Sequence, residues 1–361
     1  MSYVQDIHAY IPGKSIAALA SQFGLLESDI IKLASNENPL GASEQVTRSL
    51  IENIQEIARY PDGNNDQLKT IIAKHCRVDP NQCVLGNGSN DVLDLIARAY
   101  LGQGMQAIYS QYAFAVYGIA AQSVGADSIV IPAINYGHDL FSMAAAITEK
   151  TRVIFIANPN NPTGTWFDHS YFLTFLAQVP TSVLIVLDEA YIEYSEDTQG
   201  SVNSLNLLAD HPNLIVVRTL SKAYGLAGLR IGYGVCSASV AGILNKVRQP
   251  FNVNTLAVIA ASVALNDDLH LIKTRKLNKL GKLQLESGLS QLSLSWIPSM
   301  GNFLTVRLGD KAGDIFQKLL QLGIIVRPLT GYDMPEHLRI SIGLPEENKR
   351  LLEALTKILD R

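Results

Sequence analysis

Between residues 83 and 218, six short apolar runs recur, separated by longer segments of mixed polarity. The runs are CVLG at 83–86, AIYS at 107–110, SIVIP at 128–132, VIFIA at 153–157, SVLIVLD at 182–188 and LIVVR at 214–218. They are apolar on both faces and rich in Val and Ile, the composition of strands covered from two sides. In the intervening stretch NDVLDLIARAY at 90–100, Val92, Leu93, Ile96 and Tyr100 fall on one helical stripe. Strand and helix in alternation predict an α/β domain with a mostly parallel sheet between helices.

Beyond residue 250 the pattern changes. One helical stretch is expected over 255–292, then three shorter strands at 302–308, 324–329 and 337–343. In the last, Leu338, Ile340 and Ile342 share one face while Arg339 and Ser341 take the other. A closing helix aligns Leu351, Leu352, Leu355 and Ile358. A length of 361 residues also exceeds one ordinary core. The expected division is an N-terminal arm at 1–35 associated with the small domain, a large domain at 36–250, and a small α+β domain at 251–361.

Hydrophobic residues make up 47% and charged residues 17% of the chain, which excludes disorder as its main state. Lys and Arg number 29 against 33 Asp and Glu, a net charge of −4. That balance leaves no electrostatic footprint for nucleic acid or for an anionic membrane. Cys76, Cys83 and Cys236 include no C-x-x-C pair and read as reduced thiols. The N-terminus shows no basic leader followed by an apolar run, and no stretch approaches the ~20 apolar residues of a membrane helix. A cytoplasmic protein is expected. Metal and serine-hydrolase chemistry lack their motifs, H-E-x-x-H and G-x-S-x-G.

Ligands of open α/β sheets gather at the carboxyl ends of the strands, and four of these ends carry polar clusters. After 83–86 come Gly86-Asn87-Gly88-Ser89-Asn90-Asp91, with Ser89 a good N-cap for the helix that follows. Such a turn is either an anion site at a helix N-terminus or an ordinary strand–helix connection. After 153–157 comes Asn158-Pro159-Asn160-Asn161-Pro162-Thr163-Gly164, a rigid turn with or without a ligand. Asp188 ends a fully apolar strand, where a carboxylate must be paired, ligand-bound or capping a helix. Thr219-Leu220-Ser221-Lys222-Ala223-Tyr224-Gly225-Leu226-Ala227-Gly228-Leu229-Arg230 sets Lys222 among few charges, a setting that lowers a lysine pKa. Alone it could equally be a solvated surface group. Together, a phosphate nest, a buried carboxylate, an amine, and an Asn and a Tyr suited to a phenolate oxygen match the needs of pyridoxal 5'-phosphate.

The blocks SNENP (35–39), RYPD (59–62), GNGSND (86–91), NPNNPTG (158–164), DEAY (188–191) and TLSKAYGLAGLR (219–230) stand in an order that resembles the fold-type I aminotransferases. Within them the ensemble is most similar to the histidinol-phosphate aminotransferase branch. The resemblance implies that Lys222 joins the cofactor aldehyde and later moves the substrate proton, and that Asp188 pairs with the pyridine nitrogen. It implies Asn161 and Tyr191 on the phenolic oxygen, and Tyr112 against the ring face, with Phe114 competing for that place. The phosphate would rest on the backbone of Ser89 and Asn90 and on Ser221 and Arg230. Tyr60 would reach it from a second subunit, which implies a homodimer with shared active sites.

For the substrates, the resemblance implies Arg339 on a carboxylate and Arg327 on a phosphate, with Asn36 and Tyr10 in the pocket wall. The implied reaction exchanges an amino group between L-glutamate/2-oxoglutarate and imidazole acetol phosphate/L-histidinol phosphate in histidine biosynthesis. An aromatic amino-acid aminotransferase and a threonine-phosphate decarboxylase share the scaffold and stand as alternatives. A sensor domain without catalysis is disfavoured by the intact Lys222, Asp188 and Asn161.

Overall fold

The protein is described from a computed structural model, which covers residues 2–9, 13–195, 202 and 204–360. Seven strands form the main sheet: β1 (Cys83–Gly86), β2 (Gln106–Ser110), β3 (Asp127–Ile131), β4 (Thr151–Ala157), β5 (Leu184–Asp188), β6 (Leu214–Thr219) and β7 (Gly232–Val235). Their spatial order is β1-β7-β6-β5-β4-β2-β3, parallel except for β7, which runs antiparallel to both β1 and β6. Side-chain alternation divides β4 between two cores: Val153, Phe155 and Ala157 pack with the helix Ser89–Tyr100, Ile154 and Ile156 with the helix layer on the other face. Burial on both faces explains why these strands read as unbroken apolar runs.

The sequence reading contains no strand at 232–235, because GYGV carries two glycines where strands favour branched residues. Packing demands them. A Cβ on Gly232 would stand 2.3 Å from the Ser89 backbone nitrogen, and one on Gly234 would stand 3.0 Å from Ile215. The antiparallel strand is thin so that the helix beginning at Ser89 can lie against it.

The expected helix over 255–292 is two helices, Thr255–Ala264 and Asp268–Gln291, bent by 80°. The break falls at Asn266-Asp267, where the Asp267 carboxylate accepts the His270 amide and starts the second helix. Ala257, Ala260 and Ala261 share the core under the large sheet with Val46, so that packing continues past residue 250. Among the described residues, no single helix is long and apolar enough to cross a membrane.

The second sheet is antiparallel, in the order Arg327–Leu329, Met334–Ser341, Phe303–Arg307, Ser295–Ile297. The expected strand at 324–329 is divided: Ile324–Ile325 leaves this sheet and pairs in parallel with Ile31–Lys32. The N-terminal segment is thereby fastened to the C-terminal part of the chain. Leu338, Ile340 and Ile342 face the core beneath the helix Pro345–Ile358. Arg339 and Ser341, on the opposite face, are buried too, Arg339 against Asn161 and Ser341 against Asn36.

Candidate active site

Parallel strands place all their following loops on one edge of a sheet, and here those of β1, β4, β5 and β6 enclose a cavity of about 320 Å³. Lys222 projects into it from the loop after β6, and its Nζ donates to the Ser35 carbonyl at 2.9 Å. Burial, followed by the field of Arg339, brings the Lys222 pKa down to about 7, while Glu37 opposes the shift. An amine so placed is neutral and nucleophilic for much of its time near neutrality.

Asp188 closes β5 at the cavity floor. Burial raises its pKa to about 6 against two donors that lower it, the Tyr117 hydroxyl at 2.8 Å and the Ala190 amide at 3.1 Å. Neighbouring Glu189 is buried on the other side, paired with Arg218 at 2.8 Å. Tyr191 receives a hydrogen bond from Asn36 Nδ2 at 2.9 Å, and burial drives its phenol pKa up to about 12. Asn36 holds a left-handed backbone (φ 54°), and its amide donates to Ser341 Oγ at 2.8 Å. Asn161 lies on the turn after β4, its Oδ1 accepting from Arg339 Nη1. The other Arg339 terminus, Nη2, donates to the Ala34 carbonyl at 2.7 Å. Arg327 also lines the cavity, directly across the strand pair from Arg339.

At the opposite end are Ser89, Asn90, Ser221 and Arg230. Arg230 Nη1 lies 3.4 Å from Ser221 Oγ. The expected N-cap is corrected: Gly88, at φ 83°, caps the helix and Ser89 is its first residue. A Cβ on Gly88 would meet Arg230 at 2.6 Å, so the glycine keeps the floor of this nest open. Sequence reading also missed how the turn is held: Asp91 Oδ2 accepts from the Asn87 amide at 2.8 Å and from Asn252 Nδ2 at 2.7 Å.

Two sequence-derived residues lie elsewhere. Tyr112 is not in the cavity wall; it packs at 5.7 Å against Tyr136, near Ile297, Leu329 and Met334, while Phe114 lines the cavity. The tight turn joining Ser110 to Ala113 turns the two rings apart, and Asn160 Nδ2 fixes it through the Tyr112 carbonyl at 2.8 Å. Tyr60 is 83% exposed and stacked on Phe251 at 4.8 Å, outside the cavity of its own chain. Tyr10 falls outside the described residues. Tyr117, which sequence reading did not select, is a buried wall residue; the aromatic spacing FAVY gave no sign that its hydroxyl meets Asp188.

The donor set suits pyridoxal phosphate. The start of the helix at Ser89 and Arg230 form an anion nest, and a buried carboxylate that has no cationic hydrogen-bond partner among the described residues faces the cavity near an amine of lowered pKa. A family model for aminotransferases of class I and II matches residues 28–355. This chain belongs to that family.

Curated relatives of the aminotransferase match along its whole length. It is 56% identical, over 99% of its own length and 96% of the relative's, to histidinol-phosphate aminotransferase 2 of Pseudomonas fluorescens. Identity is 51%, with the same coverage, to the histidinol-phosphate aminotransferase of Methylobacillus flagellatus. Among solved structures, histidinol-phosphate aminotransferase from Sinorhizobium meliloti in complex with pyridoxal-5'-phosphate superposes with a TM-score of 0.90 at 26% identity, covering 99% of this chain and 96% of that one. The same fold occurs in L-threonine-O-3-phosphate decarboxylase from Porphyromonas gingivalis, with a TM-score of 0.82 at 24% identity over 92% of this chain and 100% of that one.

Proposed function

We propose that this enzyme, with pyridoxal phosphate as cofactor, exchanges an amino group between L-glutamate/2-oxoglutarate and imidazole acetol phosphate/L-histidinol phosphate in histidine biosynthesis. The observation that carries the reading is relatives of that name, more than half identical over nearly the whole chain. The paired arginines of the cavity wall agree with it, since both proposed substrate pairs are anionic.

Pyridoxal phosphate supplies an aldehyde that accepts the amino group and a protonated ring that draws electrons from the substrate. The chain's part is to hold and to move protons. Asp188 would accept the ring N–H; Asn161 and Tyr191 would address the phenolic oxygen, and Phe114 the ring face. The backbone of Ser89 and Asn90, with Ser221 and Arg230, would take the phosphate. Lys222 provides the nucleophilic nitrogen and shuttles the proton at the substrate α-carbon, a step worth roughly 10²–10⁴ in rate. Arg339, already buried and aligned, grips the substrate anion in fork geometry; Arg327 adds a second positive charge for a phosphate. Asn36 keeps Tyr191 in place.

A homodimer with shared sites belongs to the same proposal. Tyr60 is exposed beside Ile51, Ile54 and Ile57, also exposed, and would serve the phosphate of a second copy. We place residues 36–265 as the cofactor-binding unit, since Ala257, Ala260 and Ala261 pack in its core, with the N-terminal and C-terminal parts of the chain closing over the substrate, and the enzyme in the cytoplasm, where three buried free thiols persist.

Steady-state assays with a panel of amino donors and oxo acids test the reading. Turnover of L-histidinol phosphate with 2-oxoglutarate is expected. Turnover of phenylpyruvate with none on the imidazole phosphate would overturn it.

A further inference from the structure

Asp188 lines the cavity at the end of β5, and its surroundings oppose its charge. It is 5% exposed, and burial is the largest influence on its carboxyl. Glu189 follows it in the chain and disfavours its ionisation further, while the opposite charge of Lys222 gives only a minor compensation. The Ala190 amide supplies one local hydrogen bond. The remaining donor arrives from another element: the Tyr117 hydroxyl, 71 residues earlier, at 2.8 Å from Oδ2.

Tyr117 is built for one orientation. It lies on the helix Val116–Ser123 with its side chain fully buried. Its ring stacks on Phe155 of β4, with centroids at 5.0 Å and planes inclined by 8°, and meets the edge of Phe114 at 6.0 Å and 88°. The phenol is held well above its ordinary pKa, first by burial and then by Asp188, with the phenols of Tyr191 and Tyr332 adding to the shift. It therefore stays protonated and can only donate to the carboxylate. A donor locked by two aromatic neighbours costs little further ordering when it bonds an anion.

We propose that Tyr117 is a positioning residue that keeps Asp188 ionised and aimed at the ring nitrogen of the cofactor. This rests on the cofactor assignment made above. With the hydroxyl removed, Asp188 keeps its burial and its repulsion from Glu189 but loses its strongest charge-favouring hydrogen bond. Its carboxyl then titrates at higher pH, and near neutrality a larger fraction is uncharged. The consequence belongs to the ring nitrogen alone, because the phosphate and the aldehyde are held by other residues.

The test compares wild type with Tyr117→Phe, which preserves the ring stack. Cofactor-free protein is titrated across pH with pyridoxal phosphate and, separately, with an analogue in which carbon replaces the ring nitrogen. The substitution should weaken pyridoxal phosphate binding about tenfold near neutral pH, the scale of one hydrogen bond to a charged group, and leave analogue binding unchanged. The acid-side loss of pyridoxal phosphate affinity should begin at higher pH than in wild type. Phe155→Leu, which loosens the same stack without removing the hydroxyl, should lower thermal stability and leave that pH limb in place. Equal weakening for both ligands, or none for either, would overturn the role of Tyr117. Wild-type protein that binds neither ligand would overturn the cofactor assignment itself.

Discussion

Lys222 Nζ and the Ser35 carbonyl oxygen are 2.9 Å apart, although 187 residues separate them. A backbone carbonyl from the N-terminal segment thus holds the amine over the cavity, and burial, followed by the field of Arg339, brings the Lys222 pKa to about 7. The rate of cofactor incorporation into cofactor-free enzyme should rise as pH increases through about 7, because the neutral amine is the nucleophile. Lys222→Ala should lose the visible absorbance of bound cofactor and at least ~10² of the transamination rate, with an unchanged circular dichroism spectrum. Wild-type-like turnover in that variant would refute the assignment.

Arg327 and Arg339 are cross-strand partners, two like charges side by side on one wall. Such a pair is unfavourable without an anion between or above it. Arg327→Ala should reduce kcat/KM for L-histidinol phosphate by about ten- to a hundredfold and affect glutamate far less, as expected for one lost charge-assisted contact. Equal losses on both substrates would remove the phosphate role.

Asp188 makes the site costly to fold without its ligand. Its carboxyl is raised from 3.8 to about 6 in the folded chain. The folded state therefore favours the protonated form. That contribution is complete below the unfolded pKa and is lost as pH rises through about 6. Asp188→Asn, neutral at every pH, should stabilise cofactor-free protein at pH 7 by roughly 2–3 kcal/mol in urea unfolding, with the gain shrinking towards pH 4. The same substitution should weaken cofactor binding. A loss of stability at pH 7 would contradict this balance.

Ile57 and Tyr60 leave an apolar surface uncovered on the single chain. Ile57→Glu should convert the proposed dimer to monomer in sedimentation velocity and weaken cofactor retention, since Tyr60 would no longer reach a second site. A sedimentation coefficient matching wild type would argue that the interface lies elsewhere.

Gly88 tests the phosphate nest. With φ at 83° and Arg230 only 2.6 Å from a hypothetical Cβ, Gly88→Ala should displace the guanidinium. Cofactor affinity should fall by about tenfold or more, consistent with ~1.4 kcal/mol per decade. Binding as tight as wild type would show that Arg230 is not part of the nest.

Local chemistry was enough to place much of this molecule. Apolar runs at 153–157 and 182–188 announce strands buried on both faces, and a parallel sheet must deliver their loops to one edge. Asn161, Asp188, Lys222 and Arg230 therefore group together from the sequence alone. Period-two alternation at 337–343 separated Arg339 from Leu338 and Ile340 in the same way. Other features depend on partners remote in sequence. Alternation could not say that the polar face of that strand is buried against Asn161 and Ala34. Composition hid β7, whose glycines answer to the helix packed on it, and left Tyr112 and Phe114 in competition, because a turn, not a spacing, chooses which ring faces the cavity. The tyrosine on Asp188 is the clearest case: FAVY determines a helix start and an aromatic side chain, but only the stacking of Tyr117 on Phe155 decides where its hydroxyl points.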